Sequence, residues 1–299
     1  MVLVVQSQAS VTGGGNLVWD GVSHPTDETA GRKRQEGENM GTEAPEVDVT
    51  VLQQFDDFLD GCSGRVKWAS LNSIAHIKKS VQIKDIDPEM AIFRAICAEE
   101  EAATALIGSL KEQQYEGAEK LNFRMHADKH AVILFVMTVM QWFQNRKVQA
   151  GQNFGRHRVY FDDVKGRRGL RLGIQLGSSN LQVNPTPPLH LISEGARTLA
   201  EEFQDEMKDL LGFEKTSEIK KLIEQRANFR NMILYATPTG IPRVAGSIDD
   251  FINSQISIIN SLLVALALID PWRSPEYPKS GIVTVSIQVF SNLMARVRK

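Results

Sequence analysis

The chain has 299 residues, of which 42% are hydrophobic, with a formal net charge of -2 and two cysteines. That length and apolar content support a sizeable core and exclude disorder of the whole chain. The near-neutral charge excludes a global attraction to nucleic acid or anionic membrane and leaves room only for a local basic patch.

Cys62 and Cys97 are far apart in sequence, and Cys97 sits beside Ile96 in a helical pattern. Both are expected as free thiols, Cys97 buried, in a reducing compartment. The opening Met-Val-Leu-Val-Val has neither the basic region nor the apolar length of a secretory signal. Apolar runs such as Ala131 to Val136 and Leu262 to Ile269 fall short of the roughly 20 residues that a membrane span requires. A soluble, cytoplasmic protein without a membrane partner is expected.

In chain order, residues 1–48 combine Gly13-Gly14-Gly15 with many Ser, Thr, Glu and Gln and a single aromatic, Trp19. Such a stretch buries too little apolar surface to offset its ordering entropy and is expected to be a disordered tail. Met40 offers an alternative start of translation. From Val49 onward one helical domain is expected, with a β-hairpin inserted at about 151–185.

Leu52, Phe55, Phe58 and Leu59 stand at helical spacing up to Gly61, and Trp68, Leu71, Ile74 and Ile77 predict a second helix. Asp87 as N-cap and Pro88 at the first helical position then start a central helix expected to run to near Gly117. Its stripe is Ile92, Phe93, Ile96, Ala103, Ile107 and Leu110. A further helix is expected from Asn122 to Phe143, with Arg124, His126, Lys129 and His130 crowded into its first two turns.

Beyond Arg146, glycines punctuate alternating runs. His157 to Phe161 and Leu170 to Leu176 flank Lys165-Gly-Arg-Arg-Gly169, the pattern of a β-hairpin, which Pro185, Pro187 and Pro188 terminate. Helical segments are expected near 190–211, 216–236, 248–269 and 282–297, although the last also alternates like a strand. The expected fold class is mainly α, a helical bundle with a small inserted β-hairpin.

Four groupings of residues could carry chemistry. His126 and His130 are four apart and share a helix face, the spacing that lets two imidazoles hold a metal, with Glu99, Glu100 or Glu101 as an added carboxylate. Neither an H-E-x-x-H signature nor a Glu three residues before either histidine is present, so neither a metal nor any other cofactor is expected. Arg124 with His130 could instead hold a phosphate and move a proton, though six residues is about 600° of helix and does not put both on one face. The hairpin holds Arg156, Arg158, Lys165, Arg167, Arg168 and Arg171 against Asp162 and Asp163, beside Tyr160 and Phe161. That set could grip a phosphate backbone or merely keep a turn soluble. A phosphate-binding glycine loop, a nucleophile elbow and a C-x-x-C pair are all missing, which disfavours nucleotide hydrolysis, the commonest hydrolases and zinc ribbons.

The fourth lies in Gln225 to Ala236, where Arg230-Asn231-Met-Ile-Leu-Tyr235 matches all but the last position of the pattern Arg-Asn, three residues, His. Here the chain resembles the HEPN superfamily of helical bundles, which includes toxin ribonucleases and AbiV-type abortive-infection proteins. Ala98-Glu-Glu-Glu-Ala-Ala103 is similar to the paired-glutamate helix of the AbiV type, and Arg124 to His130 to its basic, histidine-bearing segment. The resemblance implies an RNA-binding or metal-independent RNA-cleaving protein of prokaryotic phage defence, acting as a homodimer, with Arg230 on the phosphate and Asn231 beside it. Tyr235 stands where the family has histidine, and a phenol with a pKa near 10 is a poor proton shuttle. Proton transfer is therefore expected from His126 or His130. The alternative is a non-catalytic interaction or regulatory protein whose bundle pairs through an apolar helix face.

Overall fold

A computed structural model describes residues 47–149, 154–163, 166, 168–176, 182–183, 201, 205, 216–236, 240, 243–244, 246–269 and 279–297. The proposed tail up to residue 46 and the helix expected near 190–211, apart from residues 201 and 205, lie outside the described residues.

The chain enters through a 3-10 turn, Thr50–Phe55, that runs into the short helix α1, Asp56–Asp60. Leu52, Phe55, Phe58 and Leu59 are all buried, as their spacing requires. Helix α2 follows over Gly64–Ile83, and α3 over Pro88–Glu112. The Asp87 carboxylate accepts from the Met90 N–H at 3.0 Å, which satisfies one of the unpaired donors at the start of α3. Helix α3 ends at Glu112 rather than near Gly117, where the backbone turns left-handed at φ +92°. A Cβ at Gly117 would stand 2.8 Å from Ser291 Oγ, so the close approach there needs glycine.

The next helix, α4, spans His126–Gln149, four residues later than expected, because the segment before it makes its own turns. Asn122 Oδ1 accepts from the Arg124 N–H at 3.0 Å, and buried Asp128 accepts from the Asn122 N–H at 2.6 Å. These bonds compete with helical ones and hold Arg124 off the helix. Strands β1, Phe154–Asp163, and β2, Arg168–Leu176, form the antiparallel hairpin, with Phe161 opposite Leu170 and Asp163 opposite Arg168. A two-residue strand β3, Gln182–Val183, joins β2 and makes a three-stranded sheet that the alternation did not reveal. Helices α5, Thr216–Leu234, α6, Ile248–Ile269, and α7, Gly281–Val297, complete the described fold. The segment that also alternated like a strand is helical in α7: Ile287, Phe290 and Met294 recur at three- and four-residue steps and are buried.

The architecture is mainly α, a helical bundle with a small β element, and α3 is its axis. Helix α3 packs against α2, α4, α5 and α6. Ala95, Ala98, Ala102, Ala103 and Ala105 are buried on it, and such short side chains let neighbouring helices come close. Ser73 and Ser80 of α2 use that closeness, donating to the Ala98 and Ala91 carbonyls at 2.7 Å. Helix α6 is longer than the apolar run suggested and is long and apolar enough to cross a membrane by length and composition. Its Ile252, Ile256, Ile259, Leu262, Leu263 and Leu266 are buried in the bundle core. Phe161 and Leu170 face the same core, Phe161 edge-on to Phe55 with ring centroids 5.4 Å apart. Trp68, expected on the buried stripe of α2, is instead 67% exposed. Both cysteines are free, Cys62 buried and Cys97 only half-buried.

Candidate functional site

Two carboxylates interrupt the apolar face of α3, where Ile92 and Ile96 are followed by buried Glu99 and Glu100. Two arginines interrupt the matching face of α5, where Ile219 and Ile223 precede Arg226 and Arg230, and buried Ile233 follows. The flanking contacts bring these interruptions together. Ile92, Ile96 and Ile233 form a small apolar cluster with Phe93, Phe229 and Phe251 packed on it, which sets α5 against α3 at this height. The first two turns of α4 complete the site with His126, Lys129 and His130.

Each carboxylate has its own partners. Glu99 Oε1 accepts from Arg226 at 2.8 Å and lies 3.1 Å from His130 Nδ1. Glu100 Oε1 lies 2.8 Å from His126 Nδ1 and 3.5 Å from His130 Nε2, while its Oε2 lies 3.5 Å from Lys129 Nζ and 3.6 Å from Arg230 Nη1. On its other side His126 Nε2 faces Arg230 Nη2 at 2.7 Å. A guanidinium nitrogen only donates, so Nε2 is the acceptor and the proton of the neutral ring sits on Nδ1, donated to Glu100. The result is a line from Glu100 through the imidazole of His126 to Arg230.

Burial raises the pKa of both carboxyls, but their partners outweigh it. For Glu99 these are the Arg226 charge and the His130 hydrogen bond; for Glu100 they are the His130 hydrogen bond and the Lys129 and His126 charges. Each carboxyl is held at about 2, against an ordinary 4.5. His130 feels the reverse balance: burial lowers its pKa, the hydrogen bonds to Glu100 and Glu99 raise it, and the net direction is up. Glu99 and Glu100 are therefore ionised, and the cluster sets two carboxylates against Lys129, Arg226 and Arg230.

The two histidines differ in reach. The His126 side chain is 36% exposed, whereas His130 is 2% exposed and bracketed by carboxylates. His126 is thus the more accessible of the two to a ligand, while buried His130 lies against Glu99 and Glu100.

Other expected site residues fall outside the cluster. Arg124 precedes α4, is exposed, and lines a separate groove beside α2, whereas His130 is buried in the cluster. Asn231 is exposed and its amide donates to Asn228 Oδ1 at 3.2 Å. Tyr235 lies just beyond α5, is 64% exposed and contributes no side chain to the cluster. In the hairpin, Arg156 and Arg158 lie on β1, Arg168 is exposed at the start of β2, and Arg171 is half-buried opposite Tyr160. Lys165 and Arg167 lie outside the described residues. Strand β2 packs against α1 and α6, neither of which contributes to the cluster.

Sequence reasoning passed over Arg226 and gave Lys129 no role. Its available signal was two arginines four apart, inserted in an isoleucine stripe, which only makes sense if acidic groups face them. No family model, curated protein or solved structure matches the chain.

Proposed function

We propose that the chain is a HEPN-like RNA-binding protein that cleaves RNA without a metal, using His126 to move the proton and Arg230 to hold the phosphate. The observation that carries this reading is the line from Glu100 through His126 to Arg230, with His126 the accessible imidazole of the pair. Glu100 fixes the ring with Nε2 as the acceptor, as a general base requires. A phosphate arriving at Arg230 draws the guanidinium toward itself and frees the Nε2 lone pair beside it.

In the proposed step Nε2 takes the proton of a ribose 2′-hydroxyl as that oxygen bonds to phosphorus. The bond to the 5′-oxygen breaks, and that oxygen leaves with a proton from water. The hydroxide formed takes the proton from the imidazolium, which restores His126 and yields a 2′,3′-cyclic phosphate and a 5′-hydroxyl. Metal independence is supported by the donor set: the free nitrogen of His126, where a cation would have to bind, already faces a guanidinium. The phage-defence setting, the cytoplasmic location and the homodimer belong to this proposal through the resemblance to AbiV-type proteins.

An RNA cleavage assay tests it. His126→Ala should lose about 10²- to 10⁴-fold in rate, as removal of a general base does, while Tyr235→Phe and EDTA leave the rate unchanged. Loss of cleavage in EDTA would overturn the metal-independent reading. A second reading, a non-catalytic interaction or regulatory protein, is favoured by the pairing of every cation in the cluster with a carboxylate, an arrangement that can set helix register without any ligand. Absence of cleavage by the wild-type chain over a range of RNAs would favour it.

A further inference from the structure

Beside the charged cluster, α2 and the start of α4 enclose an open groove of about 980 Å³, lined by Arg65, Trp68, Asn72, Glu101, Phe123, Arg124 and Lys129 among others. Trp68 is 67% exposed on a helix whose other large apolar residues turn inward or are partly covered. Arg65 and Arg124 are both exposed. Arg65 lies 4.0 Å from the centroid of the Phe123 ring, so an aromatic face in this groove already carries a stacked guanidinium. The acidic groups near these cations are Glu101 in the lining and Glu112, whose carboxyl feels the Arg65 charge. Lys129 belongs to both places: it lines the groove and its Nζ lies 3.5 Å from Glu100.

We propose that this groove is a subsite for single-stranded RNA, in which an unpaired base stacks on the Trp68 indole and the adjoining phosphates meet Arg65 and Arg124. The inference rests on the RNA reading above and adds to it a place and a strand type. An exposed flat ring in a groove that also holds two guanidinium groups suits a strand whose bases are splayed and whose backbone is charged, because every base offers a π-face and every linkage an anion. A duplex keeps its bases stacked on each other and has none to offer the indole. Lys129, which lines the groove, also lies 3.5 Å from Glu100, so the groove adjoins the charged cluster.

The test measures binding of a short fluorescein-labelled oligouridine by anisotropy at several salt concentrations, with the full chain and a His126→Ala background to prevent cleavage. Trp68→Ala should weaken binding by about tenfold or more, the usual cost of losing one stacking partner, while Trp68→Phe keeps most of the affinity. Arg124→Ala should flatten the slope of log affinity against log salt by about 0.7, one phosphate contact on a single strand. An RNA duplex should bind more weakly and be indifferent to Trp68→Ala. Both substituted residues are exposed, so folding is preserved, and circular dichroism checks it. Equal affinity of Trp68→Ala and the parent for oligouridine overturns the subsite. If Trp68-dependent binding is found but the wild-type chain cleaves no RNA, the subsite stands and the catalytic reading falls. If cleavage requires His126 while affinity ignores Trp68, the catalytic reading stands and the subsite falls.

Discussion

The charged cluster between α3, α4 and α5 and the basic β-hairpin treat charge in opposite ways. In the cluster, buried Glu99 meets Arg226 of α5 and buried Glu100 meets Lys129 of α4 and Arg230 of α5, so the charges are held in fixed geometry. In the hairpin, Arg168 is exposed opposite Asp163 at the end of the ladder, where water and salt screen what it feels. Linear charge density singled out the hairpin, yet the charged side chains that are held in buried contacts lie where α3, α4 and α5 meet. Burial, rather than the number of charges, makes the difference, since it fixes rotamers and strengthens each interaction.

Removing a carboxylate from the cluster sharpens the contrast most. Glu99→Ala would take from Arg226 its carboxylate at 2.8 Å and from His130 its carboxylate at 3.1 Å, and breaking a buried pair in this way costs about 3 to 5 kcal/mol. Denaturant unfolding monitored by circular dichroism should show it. A loss below about 1 kcal/mol would mean that the cluster is as solvated as the hairpin.

Leu266→Ala serves as the apolar reference. Leu266 is fully buried in α6, and a core truncation there should cost about 2 to 5 kcal/mol in the same measurement. If it proved harmless, α6 would not be the core element that its burial describes.

The pH dependence of stability separates the regions next. Glu99 and Glu100 have folded values below the ordinary 4.5, so their contribution is fully present above that pH and is lost as pH falls toward about 2. His130 is shifted the other way, so its contribution is present below the ordinary 6.5 and is lost as pH rises through its raised folded value. Unfolding free energy should therefore be highest between these limits. Glu99→Gln should flatten both limbs, while Arg168→Ala should leave the profile unchanged.

The smallest effect is expected in the hairpin. Arg168→Ala should change stability by less than about 0.5 kcal/mol, because the side chain is exposed. If Arg168 meets RNA, the same variant lowers the salt slope of binding by about 0.7, and an unchanged slope assigns the hairpin to solubility.

Much of the architecture was legible from local chemistry. Asp87-Pro88 announced the start of α3, the spacing of Leu52, Phe55, Phe58 and Leu59 announced a buried face, and alternation about a glycine turn announced β1 and β2. Capping, periodicity and turn chemistry act over a few residues, so a linear text carries them. Other features depended on groups far along the chain or on local bonds that compete with a helix. Trp68 continues the stripe of α2 in sequence but points outward. Arg124 reads as part of a helix but is held before it by the turn at Asn122. Glu99 and Arg226 are 127 positions apart, and His126 and Arg230 are 104 apart. The sequence by itself determined which residue types were available and which faces would be buried. Only the tertiary structure decided that His126 is the reachable imidazole and His130 the buried one, because solvent access and charge pairing arise where α3, α4 and α5 meet.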